Sequence, residues 1–183
     1  MPSLLASLLL VLSLAPGSSY SVDPSASALR FRVVHKFHTV HGQAGQLEGR
    51  VLAREDGTVA VMVRVPLATL RTGVANRDQH MYEVLEVGKY PYVVFKGVGR
   101  LGPGGDLPAG PLTLDGQLDL HGVQRPVSVP VTVERRPDGA LRARGEFVIS
   151  LDSFRIERPS LLFVKIEDGC RIDLDLVLRE ERR

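Results

Sequence analysis

Three of the chain's five histidines, His35, His38 and His41, fall within seven positions of one another in the stretch FRVVHKFHTVHG. Clustered histidines can ligate a metal, serve as acid and base, or make polar contact with a bound molecule. Spacing decides among these. The surrounding residues are β-formers, and along a strand successive side chains alternate between faces. On that alternation Leu29, Phe31, Val33, His35 and Phe37 share one face, while Arg30, Arg32, Lys36 and His38 share the other. His35 and His38 are thus expected on opposite faces of the sheet. His41 has the parity of His35 but would lie roughly 20 Å from it along an extended chain. That spacing argues against a metal site built from these three. It leaves His35 as an inward polar group on an apolar strand, either a buried histidine satisfied by a hydrogen bond or a contact for a ligand's head group.

Other candidate chemistry is sparse. No G-x-S-x-G motif is present, and the single cysteine, Cys170, has no histidine near it in sequence. Cys170 cannot form an intramolecular disulfide and reads as a small packing residue. Asp173 and Asp175 lie on an outward register and read as a solvated face. The run NRDQH places Arg77, Asp78 and His80 at a helix start, where anions are favoured, although capping and solubility explain the run as well. No catalytic set, metal or cofactor emerges.

The elements that must position these residues are mostly strands. Val59, Val61, Val63 and Val65 alternate with Thr58, Ala60, Met62 and Arg64, and the same period of two recurs at 112–120, 127–133, 141–151 and 172–178. Segments 29–37, 47–55 and 92–101 complete eight strands. Asp56-Gly57, Asp138-Gly139 and Asp168-Gly169 fall between such runs as hairpin signals, and GPGGD at 102–106 reads as a longer connection. An eight-stranded meander removes its edges most simply by closing into an all-β antiparallel barrel. Charged residues outside and aliphatics inside suit an apolar lumen, with Gly49, Gly97, Gly99, Gly116 and Gly145 on the inward register. Low aromatic content, 5%, favours an occupied cavity over a solid core. One short helix is expected over 77–86, with Asn76 as N-cap and Met81, Val84 and Leu85 at helical spacing.

The rest of the chain sets the context. The run LLASLLLVLSLA followed by PGSSYS reads as a secretory signal peptide over 1–19, cleaved near Ser19 and too short to span a bilayer, with one domain over 20–183. The net charge of +2 is spread evenly and forms no nucleic-acid surface. No transmembrane anchor is expected.

Taken in order, YSVDPSASALRFRVVH, VPLATLRTGVANRDQHMYEVLEVGKYPYVVFKG, LTLDGQLDLHGVQRPVSVPV and GEFVISLDSFRI resemble the YceI family of exported, lipid-binding proteins, with PSLLFVKIEDGCRIDLDL a looser match. The resemblance implies a lipocalin-like barrel whose lumen holds a long apolar molecule: a polyisoprenoid, an isoprenoid quinone, a prenyl phosphate or a fatty amide. It also implies a periplasmic or secreted location, homodimers in many members, and no enzymatic activity. On this reading Phe31, Val33, His35, Phe37, Val63, Met81, Leu85, Phe95, Leu114, Leu118, Phe147 and Ile149 are the expected ligand-binding residues. Arg77, Asp78 and His80 are candidate head-group contacts. His121 and Arg125 also match signature positions, and His121, on the outward register before Gly122, is expected to fix that turn. Two alternatives stand beside this one: a lipid-modifying enzyme using His35 or His80, and a stress-related scaffold with no ligand. The chain departs from the family pattern at His41 in TVHGQAG and in EVLEVGKYP, both near the expected barrel mouth.

Overall fold

The structure, a computed structural model, describes residues 17–36, 38–101, 110–158, 160–161 and 164–181. Most of the leader, Phe37 and the GPGGD connection therefore lie outside the described residues. In chain order the strands are Ser18–Val22 (β1), Ala28–His35 (β2), His38–Ala44 (β3), Glu48–Ala53 (β4), Thr58–Pro66 (β5), Leu70–Arg71 (β6), Tyr92–Arg100 (β7), Gly110–Leu120 (β8), Val123–Arg135 (β9), Leu141–Ser150 (β10), Ser160–Leu161 (β11), Val164–Lys165 (β12) and Gly169–Glu180 (β13). One α-helix, Ala75–Val84 (α1), interrupts them.

Eight of these strands form a closed antiparallel barrel in the order β1-β4-β5-β7-β8-β9-β10-β13, with β13 returning to β1. The expected count of eight holds, but the first strand is built differently. β1 and β2 are two segments separated by a bend, and both pair with β13: Val22 opposite Leu178, Leu29 opposite Leu174 and Val33 opposite Cys170. Asp23 fixes the bend, accepting from the Ser25 backbone N–H and hydroxyl and from Arg179 Nε. Ser27 completes it, its hydroxyl accepting from the Val177 backbone N–H at 2.9 Å.

The period of two places one face of each strand inward, and the buried aliphatics of β5, β8, β9, β10 and β13 form a continuous apolar cluster. Two prolines sit in β9, yet its pairing to β10 stops at Val131 opposite Gly145. Pro126 and Pro130 thus fall in the half of the strand whose β10 side carries no ladder, where a missing N–H costs little. The 3-10 turn Asp152–Phe154 lies beside that half, with Arg125 Nε donating to Ser153 O and Phe154 only 2% exposed.

Asp168-Gly169 is not a tight hairpin. Ser150 pairs with Gly169, so the two residues end the long excursion 151–168 between β10 and β13, which carries the 3-10 turn and the small β11–β12 hairpin. The other Asp-Gly pairs do mark turns, with Gly57 and Gly139 at φ +78° and +82°.

Candidate ligand-binding lumen

The barrel encloses an apolar cavity of about 620 Å3. That size suits a ligand site and exceeds what an eight-stranded barrel leaves when side chains fill it. From His35 the wall runs through Val33, Phe31 and Leu29 on β2, and beside them through Cys170, Ile172, Leu174, Leu176 and Leu178 on β13. Leu141 pairs with Leu178, and the part of the lumen remote from His35 is lined by aliphatics. Eight residue steps along β13 separate its first and last lumen positions, Cys170 and Leu178, a length of roughly 26 Å.

Of the expected ligand-binding residues, Phe31, Val33, His35, Val63, Met81, Leu85, Phe95, Leu114, Leu118, Phe147 and Ile149 all line this cavity, while Phe37 lies outside the described residues. The inward glycines serve the chain's own side chains and strands. Phe95 lies over Gly97, and Leu112 and Leu114 approach Gly99. Gly116 and Gly145 lie so near the neighbouring backbone, Lys96 O and Pro130 O, that a Cβ would collide with it. These close approaches hold bulk against the wall and leave the centre open.

At the opposite end the lining turns polar. His35, His38, Thr72, Asn76, Arg77, His80 and Glu157 gather there from the β2–β3 hairpin, the turn before α1, α1 itself and the loop after β10. The expected split of His35 from His38 is overturned. β2 and β3 are joined through Lys36 and Phe37 alone, so the chain reverses between the two histidines and His35 pairs directly with His38. Both rings line the cavity, their centroids 5.3 Å apart. His35 is 3% exposed and His38 stands at the rim. His41 pairs with Arg32 and is exposed.

Helix α1 crosses the mouth, presenting Met81, Val84 and Leu85 to the lumen. It begins earlier than expected: Val74 is its N-cap, Asn76 lies within it, and no side chain caps it. Asp78 is corrected as a head-group contact. It does not line the cavity, it is 7% exposed, and its Oδ1 accepts from the Thr72 N–H at 2.7 Å and the Thr72 hydroxyl at 2.5 Å. Burial raises its carboxyl, but the Thr72 hydrogen bonds, with Arg71 and Arg77 nearby, outweigh that and hold it below the usual carboxylate range. Arg77 and His80 do line the mouth, with His80 Nδ1 3.7 Å from the Glu83 carboxylate.

The far end of α1 is held by His121. Its φ of +55° and that of Gly122, +69°, make the two-residue turn joining Leu120 to Val123, as its turn-fixing role requires. Sequence reasoning missed its longer reach. Nδ1 lies 3.1 Å from Phe154 O and Nε2 lies 2.8 Å from the Glu86 carboxylate, while Tyr90 packs edge-on at 5.1 Å. Among the described residues the three non-glycine residues of positive φ, Glu86, His121 and Arg155, all lie at or beside this junction.

Cys170 faces the lumen, and burial pushes its thiol up to about 12, which makes it a poor nucleophile. Among the described residues no group of three or more His, Cys, Asp or Glu side chains is placed to hold a metal ion, and no helix is long and apolar enough to cross a membrane.

A family model described as the YceI-like domain matches residues 20–178. Solved structures share the fold. BcnA of Burkholderia cenocepacia aligns with a TM-score of 0.73 at 17% identity, covering 85% of this chain and 98% of that one. A polyisoprenoid binding domain from Saccharophagus degradans, implicated in plant cell wall breakdown, aligns with a TM-score of 0.72 at 20% identity, covering 88% and 98%. The YceI protein of Campylobacter jejuni aligns with a TM-score of 0.59 at 17% identity, covering 79% and 86%. No curated protein matches the sequence significantly.

Proposed function

Because the chain belongs to the YceI-like domain family, we propose that it is a non-catalytic carrier which shields a long apolar molecule of the polyisoprenoid class in its lumen, outside the cytoplasm. The observation that carries this reading is the open, aliphatic cavity of about 620 Å3 with its polar groups gathered at one end. Such a shape fits a molecule with a long greasy tail and a small polar head. Burying each methylene stabilises the complex by about 0.8 kcal/mol, so a tail of roughly ten carbons offsets a substantial part of the association cost. The tail supplies affinity and the mouth supplies orientation.

Location outside the cytoplasm is supported by the leader-like segment 1–19. β1 begins at Ser18, and Ser19 Oγ donates to Glu181 Oε2 at 2.8 Å. Cleavage after Ser19 would therefore remove the first two residues of that strand.

Native mass spectrometry of the mature protein, purified from its own host and then extracted with organic solvent, is the direct test. The expected result is a stoichiometric adduct that solvent releases as a long-chain lipid. Protein that is lipid-free, and that takes up no long-chain lipid when offered one, would sink the reading.

A further inference from the structure

Among the described residues Arg77 is the only lysine or arginine lining the cavity, and its guanidinium makes no ion pair there. It is half-buried at the edge of an apolar lumen. Its Nε donates to Thr72 Oγ1 at 2.8 Å and its Nη2 donates to Thr72 O at 3.3 Å. Thr72 is itself pinned, since its N–H and hydroxyl both donate to Asp78 Oδ1. The chain Asp78 to Thr72 to Arg77 therefore fixes one edge of the guanidinium. Of its five N–H donors, the other three find no acceptor among the described residues.

A half-buried cation held in this way at the edge of an apolar lumen favours an acceptor-rich counter-group, because charge-assisted hydrogen bonds strengthen where a bound ligand displaces water. Asp78 cannot fill that role, for it lies outside the lining and is spent on Thr72. Glu157, the one carboxylate that lines the cavity among the described residues, is solvent-exposed on the loop after β10. Beside Arg77, Asn76 and His80 add further donors, and the first turn of α1 has no side-chain cap. All of these favour negative charge at one place.

We propose that the lumen selects amphiphiles ending in an oxyanion, a carboxylate or a phosphate, and that Arg77 is its counter-ion while Asp78 acts through Thr72 as a positioning residue. This rests on the reading of the lumen as a tail-binding site.

The test compares three ligands of one tail length, palmitate, hexadecyl phosphate and hexadecanol, on delipidated protein by displacement of a fluorescent fatty alcohol. Either anion is expected to bind roughly 10- to 100-fold more tightly than the alcohol. Which of the two anions binds better separates a carboxylate head from a phosphate head. Arg77→Gln should erase the preference, both anions falling to the affinity that the same variant shows for hexadecanol. Arg77→Lys should keep part of it, because a point charge replaces a fork. Asp78→Asn, which keeps shape while weakening the hold on Thr72, should reduce the ratio of anion to hexadecanol affinity measured on the same variant. Equal binding of all three ligands by the wild type, or a preference that survives Arg77→Gln, overturns the proposal while the carrier reading stands. Failure of all three to bind overturns both. Circular dichroism of each variant shows whether its barrel is intact.

Discussion

The phenyl ring of Phe31 rests on the bare backbone of Gly42, its directly paired neighbour across the β2–β3 hairpin. A Cβ on Gly42 would stand 2.1 Å from Phe31 Cζ. The ring lies against the wall because nothing projects from the wall beneath it.

Gly42→Ala should therefore swing Phe31 into the lumen. Since the obstructing atoms are the far end of a side chain, stability should change by less than about 1.5 kcal/mol. Affinity for a branched isoprenoid should fall at least about tenfold, because the displaced ring occupies the ligand's volume. Parallel chemical denaturation and lipid titration separate the two effects. A large stability loss with unchanged affinity would contradict this account.

Ala143 sits in the remote half of the lumen, paired with Leu176 and Val133. Ala143→Phe should shorten the usable lumen, so long-tailed ligands lose affinity and short-tailed ones keep theirs. A series of alkyl chains of increasing length, titrated against both proteins, measures the cut-off. Identical cut-offs would mean that tails do not reach this depth.

Much of this arrangement is legible in the residues, and the parts that are not share a cause. Period-two runs such as Leu112–Leu120 and Leu141–Leu151 report which face is buried, because burial acts on every second side chain along a regular strand. The chain between the paired His35 and His38 carries no glycine or asparagine, so β3 reads as a continuation of β2 and His38 appears on the wrong face. Val74 as the helix cap is equally silent, since Asn76 offers a better-looking start. Asp78 looks like a mouth residue until Thr72, six positions away, is seen to claim it. The reach of His121 to Glu86 and Phe154 joins residues 35 and 33 positions apart, and no local pattern encodes it.

That reach makes His121 a brace for α1. His121→Ala should destabilise the barrel by roughly 1–3 kcal/mol, since the ring loses a carbonyl and a carboxylate together and alanine tolerates its positive φ poorly. His121→Asn, which tolerates that backbone, should be less damaged. Bound lipid should leave both variants faster, because the helix over the mouth is held at one end only. Urea unfolding and stopped-flow lipid release report the two effects. Equal unfolding midpoints for all three proteins would rule the brace out.

Acid sensitivity should trace in part to Asp23. Hydrogen bonds from Ser25 and then from Arg179 lower its carboxyl from 3.8 to about 2. A group whose folded value is depressed contributes stability that is fully present above its unfolded value and is lost as pH falls through its folded value. The loss therefore spans about pH 4 to about pH 2. Asp23→Asn, less stable at neutral pH, should converge on the wild type across that window. Thermal midpoints of the two proteins, followed from neutral pH downwards, provide the check. Curves that stay parallel would show that Asp23 has no part in it.

β13 pairs with β10 from Gly169 to Leu178 on one side and with both β1 and β2 on the other, so residues near 20–33 meet residues near 170–180. Such separations make for slow folding, because a long loop must close before its contacts form. A nascent chain lacking its last strand has two unpaired edges and an apolar interior with no wall on one side. Cargo cannot be enclosed during synthesis. Loading must follow closure, and a chain stalled before closure displays the same greasy surface to its own kind, where it drives aggregation rather than capture.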